Sequence, residues 1–465
     1  MATHETGALI SSGAADWQIV QQRADGTATL TLTGRWRAAQ DYREAKVLIR
    51  LIDECTQEPV TQTLQWRPAV TRPDGTWTAE LGPVPAGGIY RIETALRLDG
   101  CAVEWSMRGD MVHHLGVGDI WLIAGQSNAA GYGKTPITDG PELGIHMFHA
   151  RGCWTLATHP LGDSTATRFP ANRGRSNASH SPWLAFARRL KHSLGYPIGL
   201  IPSSLGGSPM AAWDRAEQGH LFTNMLRYVE AAGGKVKGIV WYQGESDARP
   251  QAARLYAERF ARFVTDVRSC LGDPQLPILT VQLNRWVGQA AADNHTGWEM
   301  IREIQRRLPE QIPGAYVVPA ADLGLSDGIH NNSLGNVLLG ERMAQVALGA
   351  VYGRDINWRF PDCRRAVTLA PDLLELTFAN VGIRLNYENT YAVQLPFAVR
   401  DAQGDVPVVA WELPGPDRFR LKLGRPLQGD ATVTGLPGCN PPPIIPSDID
   451  SYRPMLGFTI PVTGD

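Results

Sequence analysis

The first 115 residues alternate apolar and polar positions in short runs, such as Ala28-Thr29-Leu30-Thr31-Leu32 and Ala45-Lys46-Val47-Leu48-Ile49-Arg50-Leu51-Ile52. Turn signals separate them, among them Asp74-Gly75 and Pro85-Ala86-Gly87-Gly88. Side chains on a strand point to opposite faces in turn, so this pattern predicts half-buried strands and a β-sandwich. From about residue 117 the pattern changes to short, nearly all-apolar runs: 119–124, 198–202, 238–242, 277–281 and 315–318. Continuous apolar runs bounded by turns suit strands of a parallel sheet covered on both faces.

Between these runs the apolar positions recur at helical spacing. Leu184, Ala187, Leu190 and Leu194 mark a helix over 182–194, opened by Ser181-Pro182. Leu255, Phe260, Phe263, Val264 and Val267 mark 251–271; Ile301, Ile304 and Leu308 mark 297–308; Val337, Leu338, Met343 and Val346 mark 333–349. Strand alternating with helix predicts an open α/β sheet. After residue 354 the alternation of period two returns, as in Leu373-Leu374-Glu375-Leu376-Thr377-Phe378 and Arg418-Phe419-Arg420-Leu421-Lys422-Leu423. The expected organisation is a β-rich region over 1–115, an α/β domain over 116–353 and a second β-rich region over 354–465. The two flanking pieces are of similar size and could pack together as one accessory domain.

Composition narrows the partners. Lys and Arg total 44 and Asp and Glu total 46, a net charge of −2, so there is no basic excess to neutralise phosphates. Nucleic acid and membrane surfaces are therefore not expected partners, and no apolar run is long enough to span a bilayer. The six cysteines have no CxxC spacing. They read as free thiols, with no zinc site and no cofactor expected. Without a basic stretch followed by an apolar one at the N-terminus, the expectation is a cytoplasmic chain, or a secreted one whose leader has been removed.

In an open α/β sheet, ligands bind at the carboxyl ends of the strands. Four such ends carry polar motifs: Gly125-Gln126-Ser127-Asn128, Leu205-Gly206-Gly207-Ser208, Gln243-Gly244-Glu245-Ser246-Asp247 and Asp327-Gly328-Ile329-His330. A serine, a double glycine, an amide and an Asp-x-x-His are the parts acyl transfer needs: nucleophile, oxyanion donors, and a base with its orienting carboxylate. A lone serine between strand and helix more often caps the helix. The four motifs together reverse that reading.

In order and spacing these motifs resemble the SGNH (GDSL-like) hydrolase superfamily, and within it the branch of sialate O-acetylesterases and other carbohydrate acetylesterases. The resemblance implies a flavodoxin-like three-layer α/β/α domain with a central parallel sheet. It also implies Ser127 as nucleophile, His330 as general base and Asp327 as the group that orients the imidazole and stabilises its cation. The oxyanion hole is expected from the Ser127 backbone N–H and from Gly206, with Gly207 as runner-up. The wider superfamily uses an asparagine as third donor; the branch pattern here implies the side-chain amide of Gln243. Asn128, Gly207 and Glu245 crowd the same corner and are expected beside the substrate.

The machinery specifies an ester, not which ester. Aromatic faces suit the C–H faces of sugar rings, and Trp213 and Trp286 fall on loops after strand ends. Trp121 and Trp241 lie inside strands, where core packing is the better reading. The stretch 131–180 is long and polar, with Arg168, Asn172, Arg173, Arg175 and Asn177, and is expected to wall the pocket. An O-acetylated sugar or oligosaccharide (sialate, xylan- or mannan-type) is the expected substrate. Two other readings stay open at this level: a general GDSL-type esterase or lipase, and a non-catalytic glycan-binding protein.

Overall fold

A computed structural model describes residues 7–39, 41–174, 178–288, 292–388 and 395–464; Arg175 and Asn177 lie outside them. The apolar runs of the middle of the chain form one sheet. Its main path runs through seven strands, β1 (Met107–Gly125), β2 (Ile145–His149), β3 (Cys153–Leu156), β4 (Ile198–Pro202), β5 (Gly238–Tyr242), β6 (Ile278–Gln282) and β7 (Ala315–Pro319), and N-terminal strands join it through β1. The seven lie in the order β3-β2-β4-β1-β5-β6-β7, all parallel except β3. Every residue of β4, β5 and β6 is buried. Successive side chains point to opposite faces, so both faces of the sheet are covered. After the short turn α1 (Ser127–Ala130), the cover comes from α2 (Trp183–Leu194), α3 (His220–Ala232), α4 (Pro250–Leu271), α5 (Ala292–Gln311) and α6 (Ser333–Val346), with α2 packed on α6 and α4 on α5.

The order of connection reverses about β1: the chain moves to β2 and β4 on one side, then to β5 on the other. Such a switch point opens a crevice at the carboxyl ends of the strands, and β1 delivers Ser127 there.

Three features depart from the sequence expectation. The stretch 131–180 is not one loop: β2 and β3 extend the sheet, because Ile145, Met147, Phe148 and Trp154 bury against it. Helix α3 was not expected, although Leu221, Phe222, Met225, Tyr228, Val229 and Ala232 recur at helical spacing; it begins at a left-handed Gly219 with no side-chain cap to announce it. The boundary expected at residue 116 falls inside β1. The first half of β1 pairs antiparallel with Ile89–Leu98 and its second half lies parallel between β4 and β5.

The flanking β regions do not merge into one unit. The N-terminal core runs from Ala8 to Val117, and the C-terminal core from Ala321 to Ile460. The C-terminal strands form five-, four- and two-stranded sheets. This region is fastened to the α/β domain by Arg302 on α5. The buried guanidinium donates to the carbonyls of Leu283 and Asn284 on one side and of Leu436 and Gly438 on the other.

Candidate active site

Gly125 ends β1 with φ 127°, and a Cβ there would stand 2.1 Å from the Tyr242 carbonyl oxygen. Only glycine permits this close turn, which carries Ser127 out of the sheet at the start of a four-residue helical turn, Ser127–Ala130. His330 comes from the loop between β7 and α6. The Ser326 N–H donates to the His330 carbonyl at 2.7 Å and closes the loop. Inside it the Asp327 carboxylate accepts the backbone N–H groups of Ile329 and His330 at 3.0 and 2.9 Å. Asn332 then caps α6 by accepting from the Gly335 N–H.

The result is a linear chain of contacts. His330 Nε2 lies 2.9 Å from Ser127 Oγ, and His330 Nδ1 lies 2.9 and 3.0 Å from the two Asp327 oxygens. All three groups reach solvent, the His330 side chain being 19% and that of Asp327 33% exposed. Burial works to raise the Asp327 carboxyl. The hydrogen bonds from the His330 ring and from the two backbone N–H groups outweigh it and hold the group well below the usual carboxylate range. Asp327 is thus an anion across any working pH, facing an imidazole whose other nitrogen faces a hydroxyl. That arrangement can deprotonate Ser127 and hold the resulting imidazolium.

Gly206 faces this corner. An atom placed where its Cβ would be lies 3.6 Å from Ser127 Cβ, and beyond its own chain neighbours no described atom comes closer than the Tyr132 hydroxyl at 3.5 Å. Gly207 has φ 71° and nothing within 4 Å of that position, so it makes the turn and leaves the approach to Gly206.

Several expected site residues turn out to support the site rather than line it. Gln243 is fully buried. Its amide donates to Asp247 Oδ2 at 2.6 Å and to the Ser208 carbonyl at 3.2 Å, which engages both its hydrogens and leaves none for an oxyanion. Asp247 reaches back to it through the turn Glu245–Asp247. Asn128 is 2% exposed and equally committed. It donates to Glu245 Oε1 at 2.8 Å and to the Ile329 carbonyl at 3.3 Å, and it accepts from the Asn331 N–H at 3.1 Å. It therefore ties the nucleophile turn to the histidine loop. The Glu245 carboxyl lies under this contact, and burial pushes it up to about 7 against the hydrogen bond from Asn128. Trp213 is fully buried, edge-on to Trp241 at 5.2 Å, and donates to Ser208 Oγ; it cannot meet a sugar. Trp121 and Trp241 are core residues as expected. Trp286 is part-exposed and stacks on Trp298 at 5.8 Å, while its neighbour Val287 donates to the Gly328 carbonyl in the histidine loop. Of the two loop tryptophans it alone keeps a face for substrate. In the 131–180 stretch Asn172 is buried between Asn224 and the Ser203 carbonyl, whereas Arg168 and Arg173 are exposed.

Sequence reasoning missed four neighbours. Asn284, at the end of β6, donates to the Ile329 carbonyl at 2.8 Å. The Lys134 ammonium lies 3.2 Å from Asp327 Oδ2, and its backbone N–H donates to Ser326 Oγ. Tyr132 stacks on the His330 ring with centroids 5.0 Å apart. Asp139 gathers His159 Nε2, His180 Nε2 and Arg188 beside a polar cavity of about 390 Å³ that Lys134 also lines. Among the described residues this last group alone has the spacing of a metal site. Its carboxylate is already held by two rings and a guanidinium, and it reads as a clamp on the loop between β1 and β2. For Tyr132 the available signal was Gly131-Tyr132-Gly133, an aromatic residue set between glycines five positions after the serine.

A parallel sheet with a switch point at β1 and a serine, histidine and aspartate at its carboxyl edge defines an SGNH-type hydrolase. Residues 117–349 match the family model described as carbohydrate esterase, sialic acid-specific acetylesterase, and the chain belongs to that family of carbohydrate O-acetylesterases. It is 29% identical over 252 residues to a probable carbohydrate esterase of Arabidopsis thaliana, covering 49% of this chain and 90% of that one. It is 26% identical over 294 residues to the human sialate O-acetylesterase, covering 53% of this chain and 55% of that one. A crystal structure of a carbohydrate acetylesterase from Xanthomonas citri superposes with a TM-score of 0.66 at 23% identity, over 96% of this chain and 98% of that one, and so shares the fold including the flanking β regions.

Proposed function

We propose that the protein removes O-acetyl groups from acetylated carbohydrates through an acetyl-enzyme on Ser127. The observation that carries this reading is the unbroken Ser127–His330–Asp327 contact chain at an open strand end. His330 Nε2 takes the Ser127 proton as Oγ bonds to the acetyl carbon. The carbonyl oxygen becomes an anion, met by the Ser127 and Gly206 backbone N–H groups. The sugar oxygen leaves with the proton from His330. Water then repeats the sequence: His330 takes its proton, hydroxide oxygen bonds to the acetyl carbon, and acetate leaves as Ser127 is re-protonated. Exposed polar residues around the crevice and the part-exposed face of Trp286 support a sugar leaving group. Acetylated sialate is the first substrate to try, since the family description names sialic acid, and xylan- or mannan-type glycans complete the panel. The motif loops carry no run of Leu, Ile or Phe to line a groove for long acyl chains, where each buried methylene would be worth about 0.8 kcal/mol to a lipase.

The test is acetate release from a panel of acetylated glycans. Ser127→Ala should remain folded and lose roughly four or more orders of magnitude in kcat/KM. Wild-type turnover in that variant, or a preference for octanoyl over acetyl esters, would contradict the reading.

A further inference from the structure

Gln243 does not reach the crevice, whereas Tyr132 does. Its backbone is pinned on both sides. Gly131 has φ 92°, and a Cβ there would stand 2.4 Å from Ser181 Cβ. Gly133 donates to the His180 carbonyl at 3.0 Å and accepts from the His180 N–H at 3.2 Å. So placed, the ring lies nearly parallel to the His330 imidazole, 24° from it, with centroids 5.0 Å apart. The other end of the side chain reaches the opposite wall: the point where a Gly206 Cβ would stand is 3.5 Å from the Tyr132 hydroxyl and 3.6 Å from Ser127 Cβ. One tyrosine thus spans the site from the base to the glycine wall.

We propose that Tyr132 is a substrate-contacting residue of the acetyl site. Its hydroxyl donates a hydrogen bond to the ester oxygen atoms that enter between Ser127 and Gly206, and its ring face steadies the imidazolium that His330 becomes when it takes the serine proton. An aromatic face attracts a cation held over it, so the second effect exists only while His330 is charged. Among the described residues, the other charged or titratable groups around His330 are the Asp327 carboxylate at Nδ1, the Lys134 ammonium across that carboxylate and the Glu245 carboxyl behind Asn128. None of them changes in a Tyr132 variant. The proposal rests on the esterase reading above.

The test uses the full chain with nitrophenyl acetate, comparing wild type, Tyr132→Phe and Tyr132→Leu, with Ser127→Ala as the baseline. Tyr132→Phe keeps the ring and should lose about five- to thirtyfold in kcat/KM, the range one transition-state hydrogen bond supports, with the acidic limb of its pH profile in place. Tyr132→Leu should lose a further two- to fivefold, roughly what an exposed cation–π contact supplies. Its acidic limb should also move to lower pH, because the charged imidazole has lost its aromatic neighbour. A packing role alone would lower activity without moving that limb. Tyr132→Phe with wild-type kinetics, or a folded Tyr132→Leu whose limb stays put, overturns the proposal; if Tyr132→Leu does not fold, the Phe variant decides. A wild type no faster than Ser127→Ala would instead remove the esterase reading itself.

Discussion

Glu245 sets the clearest problem at the scale of single residues. Its carboxyl is buried under Asn128 with Asp247 nearby, and desolvation raises it from 4.5 to about 7. Between those two values the folded protein holds a proton that the unfolded chain has released. By linkage this group costs stability as pH rises through that window, and the full penalty stands above about 7. A glutamine keeps an oxygen for the Asn128 amide and has no charge to bury. Glu245→Gln should therefore gain stability relative to wild type on going from pH 5 to pH 8, measured by denaturant unfolding at both. Parallel pH dependences in the two proteins would contradict the burial argument. Asp327 has the opposite sign. Its ionisation is favoured in the folded state, so its contribution is present above the usual aspartate range and fades only on strong acidification. Both residues stand out in the sequence, but only the structure separates them. The motifs place Glu245 and Asn128 beside the serine, and their hydrogen bonds show them facing inward, away from substrate. Residue type and spacing cannot reveal which way a side chain's donors are spent; Gln243 and Trp213 fail as site residues for the same reason.

Individual elements were legible where periodicity was strong. Five of the six parallel strands and the helices α2, α4, α5 and α6 follow from apolar runs and 3.6-residue spacing. Helix α3 lacked a capping signal, and β2 and β3 are four or five residues long inside a polar stretch, so their tertiary pairing decided what local pattern did not. The element that matters most to function is the histidine loop. It is short, exposed and held from three directions: by Asn128 on the nucleophile turn, by Asn284 at the end of β6 and by Lys134 N–H. Asn128→Ala removes one of these ties and leaves the Asn331 N–H and Glu245 without their partner. We expect this variant to lose about tenfold or more in kcat/KM through misplacement of His330. It should also lose about 1–3 kcal/mol of stability. Steady-state kinetics beside denaturant curves will check it; unchanged kinetics in a destabilised protein would separate the tie from catalysis.

The whole molecule couples the C-terminal region to the site through α5. Arg302 is wholly buried among four carbonyls, and desolvation lowers it to about 9. Two of its acceptors lie after β6, where Asn284 and Val287 reach the histidine loop, and the other two lie in the C-terminal segment whose Cys439 carbonyl accepts the Trp286 N–H. Arg302→Met should destabilise the protein by at least about 2 kcal/mol, since each unsatisfied buried carbonyl costs about 1–3 kcal/mol. It should also lower activity toward sugar esters more than toward nitrophenyl acetate, because Trp286 loses its support; equal losses on both substrates would argue against a substrate role for that face. Nothing in the sequence pattern linked residue 302 to residue 438, since such a contact depends on how two regions dock.

The central claim, that Ser127 carries the acetyl group, is tested most directly by trapping. Wild-type protein treated with a fluorophosphonate, or mixed rapidly with nitrophenyl acetate and quenched in acid, should yield one modified peptide, the one containing Ser127, by mass spectrometry. His330→Ala should label far more slowly and Ser127→Ala not at all. An enzyme that releases acetate while its label falls on another residue, or that labels equally well without His330, would contradict the account.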